Sequence, residues 1–131
     1  MVLVAVGLLL LVSQVLAPKL NMPITIDAGQ TATPSVNTAA VITYAAVADK
    51  QHNVDTVVWS YSGTPSGGNL KIEDGTGNTV FSIDITAPGP GFIPFKHPHR
   101  GSVNTDMIIT LASVSGVSGK VSVGAHWLTN A

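Results

Sequence analysis

Apolar side chains recur at every second position through much of this chain, and turn-forming residues break the pattern at intervals of about 8–12 residues. The clearest stretch is Phe81-Ser82-Ile83-Asp84-Ile85, in which the apolar residues point one way and Ser82 and Asp84 the other. A repeat of two is the signature of a strand with one face in a core and one in water. Leu70 and Ile72 alternate with Lys71 and Glu73 in the same way. Val121, Val123, Ala125 and Trp127 are read as one face, opposite Lys120, Ser122, Gly124 and His126. Val54 to Tyr61 is β-branched and aromatic, with Val57, Trp59 and Tyr61 on a common face.

The punctuation agrees with the pattern. Asp74-Gly75-Thr76-Gly77-Asn78 predicts a hairpin turn, because Gly and Asn tolerate the positive φ that tight turns need. Gly63 to Gly68 and Pro88 to Gly91 cannot continue a strand. Gly116 to Gly119 is read as the turn between the last two strands, Met107–Leu111 and Val121–Trp127. Asp49-Lys50-Gln51-His52-Asn53 is read as a polar turn. Ile24 to Asp27 opens the series, Gly29 to Asn37 is a connection, Ala39 to Val47 a strand, and Phe92 to Phe95 another that ends at His97-Pro98-His99. About eight strands with no helical period after the leader predict an all-β fold, an antiparallel β-sandwich or jelly roll.

The first 21 residues differ. Met1 to Ala17 carries no charged side chain, and Val2 to Val12 is a continuous apolar run with one glycine. Three readings are open: a signal or anchor segment, with Ala17 as a small residue at the cleavage point; an arm buried in an assembly; or a leader that precedes the natural start at Met22. No Lys or Arg precedes the run, and Pro18 follows the cleavage point, both against secretion. The run is also short of the roughly 20 apolar residues that a membrane span needs. The expected organisation is an apolar segment over 1–21 and one sandwich domain over 22–131, since 131 residues suit a single core.

Composition narrows the function classes. Charged residues are 10% of the chain, against about 25% in an ordinary soluble domain. The six Lys and Arg are scattered and the net charge is −1, so a phosphate-binding patch has no support and no nucleic-acid partner is expected. Absence of cysteine excludes disulfides, thiolate metal sites and cysteine nucleophiles.

Several residues are of types that carry chemistry. His97 and His99 are the only local pair of metal-type ligands; at i and i+2 of a strand they share a face, but a third ligand has to come from His52, His126 or a distant Asp. Solvated histidines at a strand end are the simpler account, so no metal is expected. Glu73 and Asp74 adjoin at a turn, and Asp27, Asp49, Asp55, Asp84 and Asp106 are spread along the chain, which does not make an acid–base pair. Ser, His and Asp are present without a nucleophile elbow. The glycine-rich loops match neither phosphate-binding pattern. Trp59, Tyr61 and Trp127 are read as core aromatics in preference to a sugar-stacking platform. No catalytic residue and no cofactor emerge, and the expectation is a protein that is not an enzyme.

Between Val57 and Trp127 the segments Val57-Val58-Trp59-Ser60-Tyr61-Ser62-Gly63, Gly68-Asn69-Leu70-Lys71-Ile72-Glu73-Asp74-Gly75, Gly89-Pro90-Gly91-Phe92-Ile93-Pro94-Phe95, Arg100-Gly101, Asn104-Thr105 and Gly119-Lys120-Val121 give the chain a recognisable look. It resembles small proteins encoded among the virion genes of tailed bacteriophages and related prophages, over a little more than half its length. The resemblance implies a particle component: a capsid decoration or cement protein, or a small spike. Implied partners are further copies of the chain, as a homo-oligomer, and the major capsid protein or other virion proteins; the implied location is the virion. A secreted or surface-anchored adhesion or carbohydrate-binding sandwich is the alternative, and a membrane enters only if the leader is a genuine signal or anchor.

Overall fold

The computed structural model describes residues 25–27 and 29–131, with side chains from Gly29 onward; the readings made for residues 1–21 lie outside the described residues. Twelve β segments occur there: β1 (Thr25–Asp27), β2 (Thr31–Ala32), β3 (Ala40–Tyr44), β4 (Lys50–Val54), β5 (Val57–Tyr61), β6 (Gly68–Asp74), β7 (Thr79–Ile85), β8 (Gly91–Ile93), β9 (His99–Arg100), β10 (Met107–Leu111), β11 (Gly119–Val123) and β12 (His126–Asn130). All pairings between these segments are antiparallel.

The segments group as β1-β12-β4-β9, β2-β11-β5-β8 and β3-β10-β6-β7. The first two orders match, strand for strand, once consecutive segments are joined: β1 with β2, β12 with β11, β4 with β5, β9 with β8. Backbone bonds carry the ladder across the joint. Asp55 N–H donates to Ala125 O at 3.0 Å, Gly124 N–H to Thr56 O at 2.6 Å, and Val123 N–H to Gln30 O at 3.0 Å. The two groups are therefore halves of one bent sheet. Counting each bent pair as one strand gives eight strands, ordered 1-8-3-6 in the bent sheet and 2-7-4-5 in the other. That is the jelly-roll order. The expected eight-stranded sandwich is the observed fold, and the higher segment count arises because half of its strands kink.

Alternation builds the core as the pattern requires. Ala40, Ile42 and Tyr44 of β3, Met107, Ile109 and Leu111 of β10, and Leu70 and Ile72 of β6 are all buried. Registry aligns them: Ile109 stands opposite both Ile42 and Ile72, and Leu111 opposite both Ala40 and Leu70. Val54, Val57, Tyr61, Val121 and Val123 meet them from the bent sheet. Full burial of a Leu or Ile side chain contributes about 1.5–3 kcal/mol, so these rows supply most of what holds the sheets together. The Asp74–Asn78 turn closes the β6–β7 hairpin with Gly75 and Gly77 at φ 79° and 84°, as their residue types predict.

The kinks overturn two expectations. Lys50–Val54 is a strand, not a polar turn, and His52 and Asn53 within it are 2% exposed. The tight turn falls earlier, at Asp49, which adopts φ 59°. Second, the bend at Gly124-Ala125 shifts the alternation by one residue. His126 is buried, as Val121 and Val123 are, and Trp127 is half-exposed, the reverse of a straight strand. A straight period of two cannot register such a bend, because one irregular residue exchanges the faces of everything that follows.

Candidate functional site

Burial distributes the aromatic residues unevenly. The chain has three phenylalanines. None is fully buried: Phe81 and Phe95 pack half-buried against the core, and Phe92 is exposed. Phe81 and Phe95 meet where β7, the outer strand of the second sheet, approaches β8 and β9, the outer strand of the bent one. Phe81 meets Phe95 edge-on at 5.2 Å, and Phe95 meets the His99 ring edge-on at 4.3 Å. Phe81 and His99 are 5.4 Å apart. Each of these three rings is half-buried. Together they form an aromatic contact between the two sheet edges.

Phe92 points the other way. It stands opposite Val58 on the outer face of the bent sheet and is 68% exposed, more than any other large apolar residue among those described. Val58 is itself 38% exposed, and Val80 on β7 is 45% exposed. Asp84, Lys96, His97 and Arg100 are exposed as well.

His97 and His99 part company. His97 lies on an exposed bend, whereas His99 begins β9 with its ring against Phe95 and Phe81. Burial lowers the pKa of His99 below its ordinary value, which favours the neutral ring. His52 and His126, the other potential ligands, pair with each other in the interior: His52 Nδ1 to His126 Nε2 is 2.8 Å. Among the described residues, no three His, Cys, Asp or Glu side chains are placed to hold a metal ion.

The carboxylates act as loop clamps. Asp74 accepts from Ser102 N–H at 2.8 Å and from Ser102 Oγ at 2.6 Å. Asp106 accepts from Ala46 N–H at 2.7 Å. Glu73 accepts from Gly77 N–H at 3.1 Å and pairs with Lys71 at 3.3 Å. Asp84 accepts from Asn69 Nδ2 at 3.2 Å. No two of these carboxylates converge on a common hydrogen-bond partner.

The tryptophans do not form a platform. The indole of Trp59 lies over the backbone of Gly89 and Gly91, and its Nε1 is buried without a hydrogen-bond partner among the described residues. Trp127 stands on β12, beside Asn53, in the other half of the bent sheet. Sequence reading missed the aromatic edge, although Phe81, Phe92 and Phe95 were each assigned to strands. The available signal was their spacing, three phenylalanines within fifteen residues on consecutive strands that the jelly-roll order makes edge neighbours.

No protein-family model matches this chain, and no curated protein matches it. Among solved structures it is similar to a chain from the acid-stable capsid of Helicobacter pylori bacteriophage KHP30, at 13% identity and a TM-score of 0.45, over 83% of this chain and 94% of that one. It is also similar to a chain from the Bacillus endospore appendages, a family of disulfide-linked pili, at 19% identity and a TM-score of 0.43, over 84% and 91%. At these scores the likenesses identify neither a family nor a function.

Proposed function

We propose that this chain is a structural component of a phage particle that decorates or cements the capsid through protein–protein contacts. The observation that carries the reading is Phe92, which stands on the outer face of an edge strand and is 68% exposed. A solvent-exposed aromatic in a chain with only 10% charged residues favours docking over solvation. The jelly roll supports it at the level of architecture, since capsid domains recur on this fold, although lectins and cupins do too. The resemblance to phage virion proteins supplies the setting.

Mass spectrometry of purified, nuclease-treated particles tests the reading. The chain is expected in the particle at a fixed ratio to the major capsid protein. Phe92→Ser is expected to fold normally and to be lost from particles during purification. A chain absent from purified particles, or retained equally well without Phe92, overturns the proposal.

A further inference from the structure

Among the described residues, β7 is hydrogen-bonded on one side only, to β6. An antiparallel strand turns the N–H and C=O groups of alternate residues away from its partner, so the outer side of β7 presents open backbone groups. A bulge at Val80, where pairing steps from Ile72–Phe81 to Glu73–Thr79, limits the regular part of the strand to Phe81–Ile85. Within those five residues the only charge is Asp84, and there is no proline or lysine. Proteins that keep such an edge apart from others usually place one of those residues on it.

We propose that a second copy of this chain occupies the edge. Two β7 strands pair antiparallel about a two-fold axis through Ile83. That register is set by the bulge, since Ile83 is the midpoint of the regular run. It places Ile83 opposite its symmetry mate and Phe81 opposite Ile85 on the core side. Phe81 and Ile83 are the half-buried residues of β7, so pairing extends the core across the joint.

The outer face is complementary as well. Ser82 falls opposite Asp84 of the second copy, twice over. Asn69 Nδ2 donates to Ser82 Oγ at 3.0 Å and to Asp84 Oδ1 at 3.2 Å. The serine hydroxyl hydrogen and Asp84 Oδ2 are thus left to meet across the axis. The two Asp84 side chains never face each other, so the register avoids like-charge repulsion. The contact is isologous and closes at two copies. It rests on the particle reading for its setting and makes the docking unit a dimer.

Cysteine cross-linking on the full-length chain tests this, because the chain has no cysteine of its own. Directly opposed residues on antiparallel strands have Cα atoms about 4.5–5.5 Å apart, within disulfide reach. Ile83→Cys is therefore expected to form a covalent dimer under mild oxidation at least tenfold faster than Ser82→Cys, whose two copies lie diagonally, about 8 Å apart. Equal rates overturn the register. Ser82→Lys and Asp84→Lys, both at exposed positions, keep the test sound should Ile83→Cys misfold. Each is expected to weaken self-association at least tenfold in sedimentation equilibrium while the far-UV spectrum is unchanged. An unchanged association constant overturns the pairing. Particle retention of the lysine variants separates the two readings. A chain that is monomeric at every concentration yet present in particles sinks the β7 contact alone, whereas a cross-linkable dimer missing from particles upholds the contact and sinks the particle role.

Discussion

His52 Nδ1 lies 2.8 Å from His126 Nε2, although 74 residues separate the two in the chain. His52 Nε2 sits 2.8 Å from the carbonyl of Ala45. A carbonyl only accepts, so Nε2 of His52 donates to it, and Nδ1 is the atom left to meet His126. The Tyr44 ring stacks on His126 at 3.6 Å, with planes 9° apart. The pair ties β4 to β12, two central strands of the bent sheet, next to the bend itself.

Replacing one member removes a buried hydrogen bond from the other. His52→Leu removes a partner from both His126 and the Ala45 carbonyl in a buried setting, which costs about 1–3 kcal/mol. The urea midpoint at neutral pH is expected to fall accordingly, with an unchanged slope. His126→Leu is expected to cost a similar amount, and the double variant less than the sum of the two. Additive losses would show that the rings do not interact.

How much of this was legible follows from what repeats locally. The rows Ile42, Ile72, Ile109 and Leu70, Leu111 were visible because strict alternation on straight strands fixes which residues face inward. The hairpin at Gly75 and Gly77 was visible because turn chemistry is local. His52 and Asn53 were not. A polar run reads as a turn unless its partners are known, and those partners, His126 and Thr129, lie more than seventy residues away. The Val121-to-Trp127 face failed for a related reason: Gly124 permits a bend that carries no signature beyond the glycine itself. The aromatic edge needed the strand order, which no single segment encodes.

Acid is expected to loosen the aromatic edge. Burial against Phe81 and Phe95 holds the His99 pKa below its ordinary value of 6.5. Between the lowered folded value and 6.5, the unfolded chain holds more protons than the folded one at this site. Stability from this group therefore rises with pH, is complete above about 6.5, and declines as pH falls through that value toward the folded one. An NMR titration of the His99 ring is expected to show a midpoint below 6.5 in the folded protein. His99→Phe is expected to flatten the pH dependence of the denaturation midpoint over the same window. A His99 midpoint at or above 6.5 contradicts the account.

Gly91 is where the Trp59 ring meets backbone. A Cβ at this position overlaps ring atoms Cζ2, Cε2 and Cη2 of the indole. The indole is confined on its far side by the core, so the clash cannot be relieved by a simple rotation. Gly91→Ala is expected to cost about 1–3 kcal/mol by overpacking. It should also change the tryptophan emission of the folded state. Pairing it with Trp59→Leu, which vacates the space, is expected to recover part of the loss. If Gly91→Ala alone is neutral in thermal unfolding, the packing described here is wrong.

Tyr61 governs the alkaline limit. Its hydroxyl donates to the Ala112 carbonyl at 2.8 Å, which links β5 of the bent sheet to the end of β10 in the other. Burial raises its pKa above the ordinary value of 10.0, with a backbone hydrogen bond at Asn69 acting in the opposite direction. Above pH 10 the unfolded chain therefore loses this proton first, so stability falls as pH rises past that value toward the folded pKa. Tyr61→Phe removes both effects. At neutral pH it is expected to cost about 1 kcal/mol for the lost hydrogen bond. Between pH 9 and pH 11 its denaturation midpoint is expected to decline less steeply than that of the unaltered chain. Parallel decline in the two proteins would assign the alkaline loss to other groups and leave Tyr61 as a hydrogen-bond donor only.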